Sequence, residues 1–290
     1  MRYMLGLALS GVLVFSAIAQ DQPRPFASFD LAGPAELNDP HDLTIGPDGR
    51  LYVADKLGAR IAVLNADTLE LEEVIGEGKI PGVRDISFGP TGKAAVAASG
   101  TGAVLIFDDL TASDPQPTNF LVAPFTEGAL IHTNGQVYAM ASGIGGLIAY
   151  RDGEIVATAS GHPGAHDVAE DRDGNIWVAD NDNRRLVKYA PDLTRLQVLN
   201  HEKFGFVGPR YMDIDAFGRI IVTDQEAHRV LMIDPDGPDG GSLLGVLGDG
   251  LPGKGPNKFD DPEGVAVDGG RFYISDLDNN RVVRYIIVTN

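Results

Sequence analysis

The chain repeats one short pattern of residues about every 40 positions. A glycine that closes a polar turn stands at positions 49, 92, 135, 174 and 218, so successive copies lie 43, 43, 39 and 44 residues apart. Each glycine precedes an apolar segment, as in RLYVAD after Gly49 and NIWVAD after Gly174. A sixth copy, EGVAVDGGRFYISD, begins at Glu263. Repeats near 40 residues that hold several short strands are typical of β-propeller blades.

Four strands can be assigned to each repeat. In the first repeat they are HDLTIG, RLYVAD, RIAVLN and LEEVIG. Their alternating apolar residues would let each sheet face pack against the next blade. The 36 glycines and 18 prolines, with almost no helical periodicity, agree with many short strands and turns. We therefore predict an all-β fold, a six-bladed β-propeller of four-stranded antiparallel blades.

The two ends of the chain predict how the ring of blades closes. The sixth repeat ends after its third strand, RVVRYIIVTN. The missing outer strand can come from PFASFDL, residues 25–31. An N-terminal strand in the last blade would leave no exposed sheet edge at the seam.

Three segments resemble the NHL repeat, a propeller family. They are residues 38–64, 164–189 and 248–285, with sequences such as DPEGVAVD followed by NNRVVRY. The resemblance extends over essentially the whole chain after the N-terminal segment, and it implies a six-bladed propeller. The second and third repeats match less well, because AASGTGAVL and ASGIGGLIA replace the AD…NR pattern.

The first 19 residues have the features of a secretory signal peptide. An apolar run at residues 4–15 precedes Ala-Ile-Ala at 17–19, which fits an A-x-A cleavage site. The run is shorter than the roughly 20 apolar residues of a membrane-spanning helix. We predict cleavage after Ala19 and export to the periplasm or the medium. Residues 20–290 would then form a single NHL-repeat propeller domain with no membrane span.

Charge and cysteine content narrow the choice of partners. The net formal charge is −18 and no basic run is present, which argues against nucleic acid as a partner. The chain has no cysteine, so its stability in an oxidising compartment must come from its core. The partners that remain are a small molecule, a peptide or another protein.

Six polar positions are predicted to surround one mouth of the central channel. They begin the innermost strand of each blade, eight residues before the turn glycine in the first five repeats. In blade order they are His41, Arg84, Glu127, His166, Arg210 and Glu263.

This set, called the polar ring below, has two interpretations. Neighbouring ion pairs could simply line the channel. Alternatively, polar side chains that converge on one concavity form a ligand site. We predict a ligand-binding site. The ring has no net charge when both histidines are neutral, which favours a neutral or zwitterionic ligand.

A second resemblance raises the question of a metal. The segment Pro40–Asp42 is similar to the peptidyl-hydroxyglycine amidating lyase, a secreted propeller enzyme. That family implies zinc held by channel histidines from three alternate blades, with a structural calcium. Here alternate blades supply only one histidine each, so His41 and His166 are the candidate metal ligands, and zinc or calcium is the candidate cofactor.

An enzyme therefore remains the alternative to a binding protein. By architecture alone the chain also resembles the gluconolactonases and strictosidine-synthase-like enzymes, in which Glu127 or Glu263 would act as the acid. The alternative function is a metal-dependent lyase or hydrolase, amidating-lyase-like or lactonase-like, that uses channel His and Glu. The sequence assigns no catalytic residue.

Residues beside the ring are predicted to have mainly structural roles. Strand alternation turns Asp42 and Asp167 away from the side of the preceding histidine. We therefore expect them to bond backbone or a neighbouring blade rather than to line the axis. Tyr211 is expected between blades. Of the other histidines, only His162 is placed to reach over the mouth.

Overall fold

Six four-stranded antiparallel sheets form the protein, and each has its strands in consecutive order except the last. The structure, a computed structural model, describes residues 25–34 and 36–288. The predicted signal peptide lies outside these residues. The sheets are the six blades of a propeller, as the 40-residue period predicted.

The strands of the first three blades are β2 (Pro40–Ile45), β3 (Leu51–Asp55), β4 (Arg60–Leu64), β5 (Leu71–Ile75), β6 (Val83–Phe88), β7 (Ala94–Ala98), β8 (Ala103–Phe107), β9 (Asn119–Val122), β10 (Thr126–Ile131), β11 (Val137–Ala141), β12 (Gly146–Arg151) and β13 (Glu154–Ser160). Those of the last three are β14 (Val168–Glu170), β15 (Ile176–Asp180), β16 (Arg185–Tyr189), β17 (Arg195–Leu199), β18 (Pro209–Ile214), β19 (Ile220–Asp224), β20 (Arg229–Asp234), β21 (Ser242–Leu247), β22 (Pro262–Asp268), β23 (Arg271–Asp276), β24 (Arg281–Ile287) and the N-terminal β1 (Ala27–Ala32).

Helix is almost absent from the described residues. One four-residue α-helix, α1 (His201–Phe204), and three short 3-10 turns at Ser142–Ile144, Gln225–Ala227 and Leu277–Asn279 are present. Within the described ranges, none of these is long and apolar enough to cross a membrane.

The N-terminal strand closes the ring as predicted. The last sheet has the order β1-β24-β23-β22, and β1 pairs antiparallel with β24 from Ala27 opposite Ile287 to Ala32 opposite Val283. Phe26, just before β1, stacks on Phe272 of β23 with ring centroids 5.4 Å apart. The seam is thus held by both strand pairing and aromatic packing.

The core consists of six apolar clusters, one between each pair of neighbouring blades. Trp177 of the fourth blade, for example, packs with Met212 and Ile220 of the fifth. Each sheet buries one face against the preceding blade and the other against the following blade. Because each cluster takes its residues from two blades, no blade can bury its apolar surface alone.

The AD…NR pattern of the sequence is an ion pair inside four blades. A fully buried aspartate at the end of the second strand meets an arginine at the start of the third. The pairs are Asp55–Arg60 (2.6 Å), Asp180–Arg185 (2.6 Å), Asp224–Arg229 (2.7 Å) and Asp276–Arg281 (2.7 Å). The second and third blades have alanine in place of the aspartate at this position, Ala98 and Ala141. This explains why their resemblance to the repeat is weaker although their strands form.

Candidate functional site

The backbone bends at the polar ring. In five blades the pairing between the first and second strands shifts register at the ring residue, as between Pro40 and Leu43 or between Thr126 and Gly128. Bulges of this kind redirect side chains and often border functional sites. The structure brings the six ring residues together, and contacts link those of neighbouring blades from the second blade round to the first.

Glu263 has three side-chain neighbours around the ring. Its Oε2 lies 2.6 Å from His41 Nδ1, and its Oε1 lies 3.6 Å from Arg210 Nε. Gln225 Nε2 donates a hydrogen bond to Oε1 at 2.7 Å, and the same Gln225 contacts Arg210. On its other side, His41 Nε2 lies 3.6 Å from Asp39. A buried carboxylate therefore joins the first, fifth and sixth blades.

The ion-pair distances are longer in the opposite half of the ring. Arg84 Nη1 lies 3.1 Å from Glu127 Oε2, which is 4.0 Å from His166 Nε2. Arg84 Nε also donates to Ser99 Oγ at 3.3 Å. Arg210 Nη1 contacts the His166 imidazole, 3.2 Å from Nδ1. Each histidine thus has a glutamate neighbour, but only His166 contacts an arginine.

The two histidines differ in their protonation. Burial opposes the charged form of His41, but the carboxylates of Glu263 and Asp39 outweigh burial and raise its pKa. Burial and the charge of Arg210 lower the pKa of His166 to about 3. Burial also opposes ionisation of Glu263, yet His41 and Arg210 lower its pKa. His166 is therefore neutral at neutral pH, whereas the surroundings of His41 stabilise its imidazolium form.

The arginines are the most accessible members of the ring. The side chains of Arg84 and Arg210 are each 20% exposed, against 2% for His41 and Glu263. His41 Nε2 and the side-chain nitrogen of Asn181 are buried without a close hydrogen bond, and the nearest partner of His41 Nε2 is Asp39 at 3.6 Å. Unpaired buried polar groups are costly, so a closer hydrogen-bond partner would stabilise these atoms.

A cavity of about 390 Å³ occupies the channel on the other side of the ring. None of the six ring residues lines it; its walls begin one or two residues further along the inner strands and reach Pro90 and Thr133 at the far end. Every charged residue along its described walls is acidic: Asp42, Asp85, Asp167, Glu170 and Asp213. We call it the acidic cavity.

The expectation for Asp42 and Asp167 was therefore wrong in one respect, because both line the channel. Asp167 does bond the neighbouring blade, since its Oδ2 accepts the amide of Met212 at 2.8 Å. Asp85 accepts the amide of Ala129 at 2.5 Å and Asp213 that of Val267 at 2.7 Å. These carboxylates link consecutive blades while they border the cavity.

In the third, fifth and sixth blades, the residue that follows the ring position is glycine or tyrosine instead of aspartate. A Cβ on Gly264 would lie 2.6 Å from the carbonyl oxygen of His41, so only glycine allows the last and first inner strands to approach so closely. Tyr211 is fully buried, as expected, and its hydroxyl donates to the carbonyl of Glu127 at 3.3 Å.

His162 does not reach over the mouth. Its imidazole is buried between Asp180 Oδ2 at 2.9 Å and the hydroxyl of Tyr189 at 2.6 Å. It therefore supports the fourth blade from inside.

The ring residues do not fit a zinc site. His41 Nδ1 is engaged by Glu263, and the cationic Arg210 contacts His166. Zinc needs three or four ligand atoms close together. Within the described residues, only one group of His, Asp or Glu places three such atoms within 4.8 Å, and it lies outside the ring: His228, Asp260 and Asp261.

That outer group has a structural explanation. His228 Nδ1 accepts the backbone amide of Asp261 at 3.2 Å, and at the corresponding place Asn280 accepts the amide of Asp39 at 2.9 Å. Both acceptors have a left-handed backbone at the end of a 3-10 turn. The histidine nitrogen is therefore already used to join two blades.

Fold and ring together define a six-bladed β-propeller with a polar channel mouth. The family model of the NHL repeat matches residues 37–64 and 259–285, in the first and last blades. The chain is thus a six-bladed β-propeller with matches to the NHL repeat in two of its blades. No curated protein matches it in sequence.

Solved propeller structures are similar in fold. A protein of unknown function from Bacteroides thetaiotaomicron has a TM-score of 0.69 at 15% identity, covering 91% of this chain and 73% of that one. Aldose sugar dehydrogenase from Streptomyces coelicolor, bound to PQQ, has a TM-score of 0.64 at 12% identity, covering 91% and 99%. An inactive virginiamycin B lyase from Staphylococcus aureus, with quinupristin, has a TM-score of 0.62 at 12% identity, covering 88% and 83%. At these identities the similarity concerns the fold alone.

Proposed function

We propose that this protein is an exported binding protein that recognises the carboxylate end of a small molecule or peptide at its polar ring. The observation that carries the proposal is the difference in exposure within the ring. The side chains of Arg84 and Arg210 are each 20% exposed, whereas those of Glu127, Glu263 and His41 are 12%, 2% and 2% exposed. Arginine pairs with carboxylates through two parallel hydrogen bonds.

The charge of the ring supports the same ligand class. With His41 protonated, three cationic groups face two glutamates, so the formal charge is +1. His41 Nε2, which has no hydrogen bond closer than the 3.6 Å contact with Asp39, would then offer an N–H to an acceptor. A zwitterion with its carboxylate toward the arginines agrees with this arrangement, and a protein partner could supply a C-terminal carboxylate in the same way.

Calorimetry with short acetylated peptides that have free or amidated C-termini tests the proposal. The protein for this experiment is the secreted form, whose measured mass should correspond to a start at Gln20. We expect free acids to bind and amides to bind about tenfold more weakly or worse. Arg84→Met and Arg210→Met should each abolish that difference. Arg172→Gln removes an exposed arginine outside the ring and should change nothing. Equal affinity for acid and amide would refute the proposal.

A second candidate, a lyase or hydrolase acting through ring His and Glu, is favoured by the neutral His166. A ligand carboxylate that draws Arg210 away would free an imidazole nitrogen to accept a proton. Mass spectrometry of each peptide after incubation would reveal turnover, which His166→Ala should abolish. Metal analysis of the wild type and of His41→Ala tests for a metal-dependent enzyme. In that case the wild type would contain stoichiometric zinc and the variant would have lost it. Unchanged peptides with metal-free protein would exclude this candidate.

A further inference from the structure

The two faces of the propeller differ in the exposed apolar residues of their loops. The face around the polar ring, called the ring face below, carries the loops that join each second strand to the third and those that lead into each first strand. In the loops between strands that the structure describes, five large apolar residues are exposed on the ring face and one, Phe217, on the opposite face. Those on the ring face are Leu57, Phe125, Ile144, Val207 and Leu251. The apolar surface of the loops is therefore concentrated around the polar ring.

Charge divides the ring face into two parts. The loops at residues 99–102, 123–125, 142–145 and 161–165 contain no Asp, Glu, Lys or Arg. They lie in and between the second, third and fourth blades, and we call them the apolar sector. In the other four blades, each loop between the second and third strands has a charged residue: Lys56, Asp182, Glu226 and Asp278. An apolar group can therefore cover this sector without removing an ion from water, which would be costly.

Hydrogen bonds make the apolar sector continuous. Three of them join neighbouring loops, from the amide of Ala123 to the carbonyl of Gly102 (3.0 Å), from the amide of Gly143 to the carbonyl of Pro124 (3.3 Å) and from Ser142 Oγ to the carbonyl of Ala165. The last loop ends directly before His166, and the loop at 123–125 ends two residues before Glu127. The sector thus adjoins the polar ring at the third and fourth blades.

Phe125 and Ile144 form the exposed apolar surface of this sector. The two residues are 67% and 64% exposed. A Cβ on Gly143 would lie 2.4 Å from Phe125 Cδ2, so the phenyl ring lies over Gly143, directly beside Ile144. Phe125 is two residues from Glu127, a distance of at most about 7 Å along the chain. Glu127 in turn contacts Arg84 at 3.1 Å, so the apolar pair lies beside the Arg84 part of the ring.

We propose that the ligand of the polar ring carries a bulky apolar group next to its carboxylate, such as the side chain of a C-terminal Phe or Leu, and that Phe125 and Ile144 bind this group. The inference rests on the function proposed above and adds the side chain that the site prefers. Arg84 would hold the carboxylate, while the apolar sector would remove the neighbouring side chain from water. A charged side chain at that position would lose hydration without gaining a partner.

Calorimetry with acetyl-Gly-Gly-Phe and acetyl-Gly-Gly-Gly, both as free acids, tests the inference. We expect the Phe peptide to bind about tenfold more tightly, because partial burial of a phenyl group contributes an affinity gain of this size. Its binding should also have the more negative heat-capacity change, which marks the burial of apolar surface. Acetyl-Gly-Gly-Glu should bind no more tightly than the Gly peptide.

Variants of the apolar pair test which residues provide the contact. The double variant Phe125→Ala/Ile144→Ala should lose the preference for the Phe peptide and keep the difference between free acids and amides. Both side chains are exposed, so the variant should fold with an unchanged melting temperature. Phe217→Ala is the control, because it removes a phenyl group of similar exposure from the opposite face, and it should bind both peptides like the wild type.

The outcomes separate this inference from the function on which it rests. Equal affinity for the Phe and Gly acids, with amides still weaker, would refute the apolar contact and leave the carboxylate site standing. Absence of binding by free acids, or equal affinity for acids and amides, would refute both. A preference for Phe that persists in the double variant would overturn the role of Phe125 and Ile144.

Discussion

Replacing Asp276 by alanine should destabilise the protein by about 3–5 kcal/mol, as expected when one partner of a buried ion pair is removed. The Asp276 carboxylate is fully buried and accepts three hydrogen bonds, from the amide of Asp260 (2.7 Å), from Asn279 Nδ2 (2.9 Å) and from Arg281 Nε (2.7 Å). Arg281, itself buried, would lose its counter-ion. The loss falls in the last blade, where β1 closes the ring.

Urea denaturation followed by fluorescence measures this effect, because Trp177 is the only tryptophan and is fully buried. Asp108→Ala is the control, since the Asp108–Lys93 pair is exposed, and we expect no measurable change. The double variant Asp276→Ala/Arg281→Ala should be more stable than Asp276→Ala, because no unpaired guanidinium remains. An Asp276→Ala protein within about 1 kcal/mol of the wild type would contradict the role of the pair.

The blades were predictable because their signals are local. A turn glycine, an alternating strand and the AD…NR pattern lie within about 40 residues, and the strand ends that the pattern joins are adjacent. The pair between Asp180 and Arg185 needs only one tight turn. The second and third blades lack the pair, yet their middle strands are apolar and buried, so apolar packing between blades is sufficient to form them.

The ring was predictable as a set of positions but not as a network. Counting back from the turn glycine gives the register of each inner strand. The partner of each side chain depends on contacts between blades far apart in sequence, such as His41 with Glu263. The closing of the ring by β1 brings these two residues together, and no local pattern specifies their distance.

The acidic cavity was missed for a physical reason. Strict alternation turns Asp42 away from the channel if His41 faces it. The register shift at the ring residue breaks that alternation, so consecutive side chains both reach the axis. The recurrence of aspartate after the ring residue, in HD, RD and HD, was the available signal. His162 was misassigned because its partners Asp180 and Tyr189 lie in β15 and β16, the second and third strands that follow it.

Replacing Glu263 by glutamine should cost about 3 kcal/mol near pH 6 and less near pH 9. Glu263 is held by His41, Arg210 and Gln225, and the variant leaves His41 without its main ionic partner. The pKa of His41 is higher in the folded protein than in the unfolded chain. The stabilisation from the protonated His41 is therefore complete when the pH is below the pKa of the unfolded chain. That contribution is lost as pH rises through the folded value.

Urea denaturation of the wild type and of Glu263→Gln at both pH values measures this dependence. Glu127→Gln is the matched control in the opposite half of the ring. Burial raises the pKa of Glu127 although Arg84 opposes it, so the folded protein already favours its neutral form more than that of Glu263. The control should therefore lose less stability, with a weaker dependence on pH. If Glu263→Gln costs the same at both pH values, the His41–Glu263 ion pair does not stabilise the ring, and the charge of +1 proposed for the ligand site has no support.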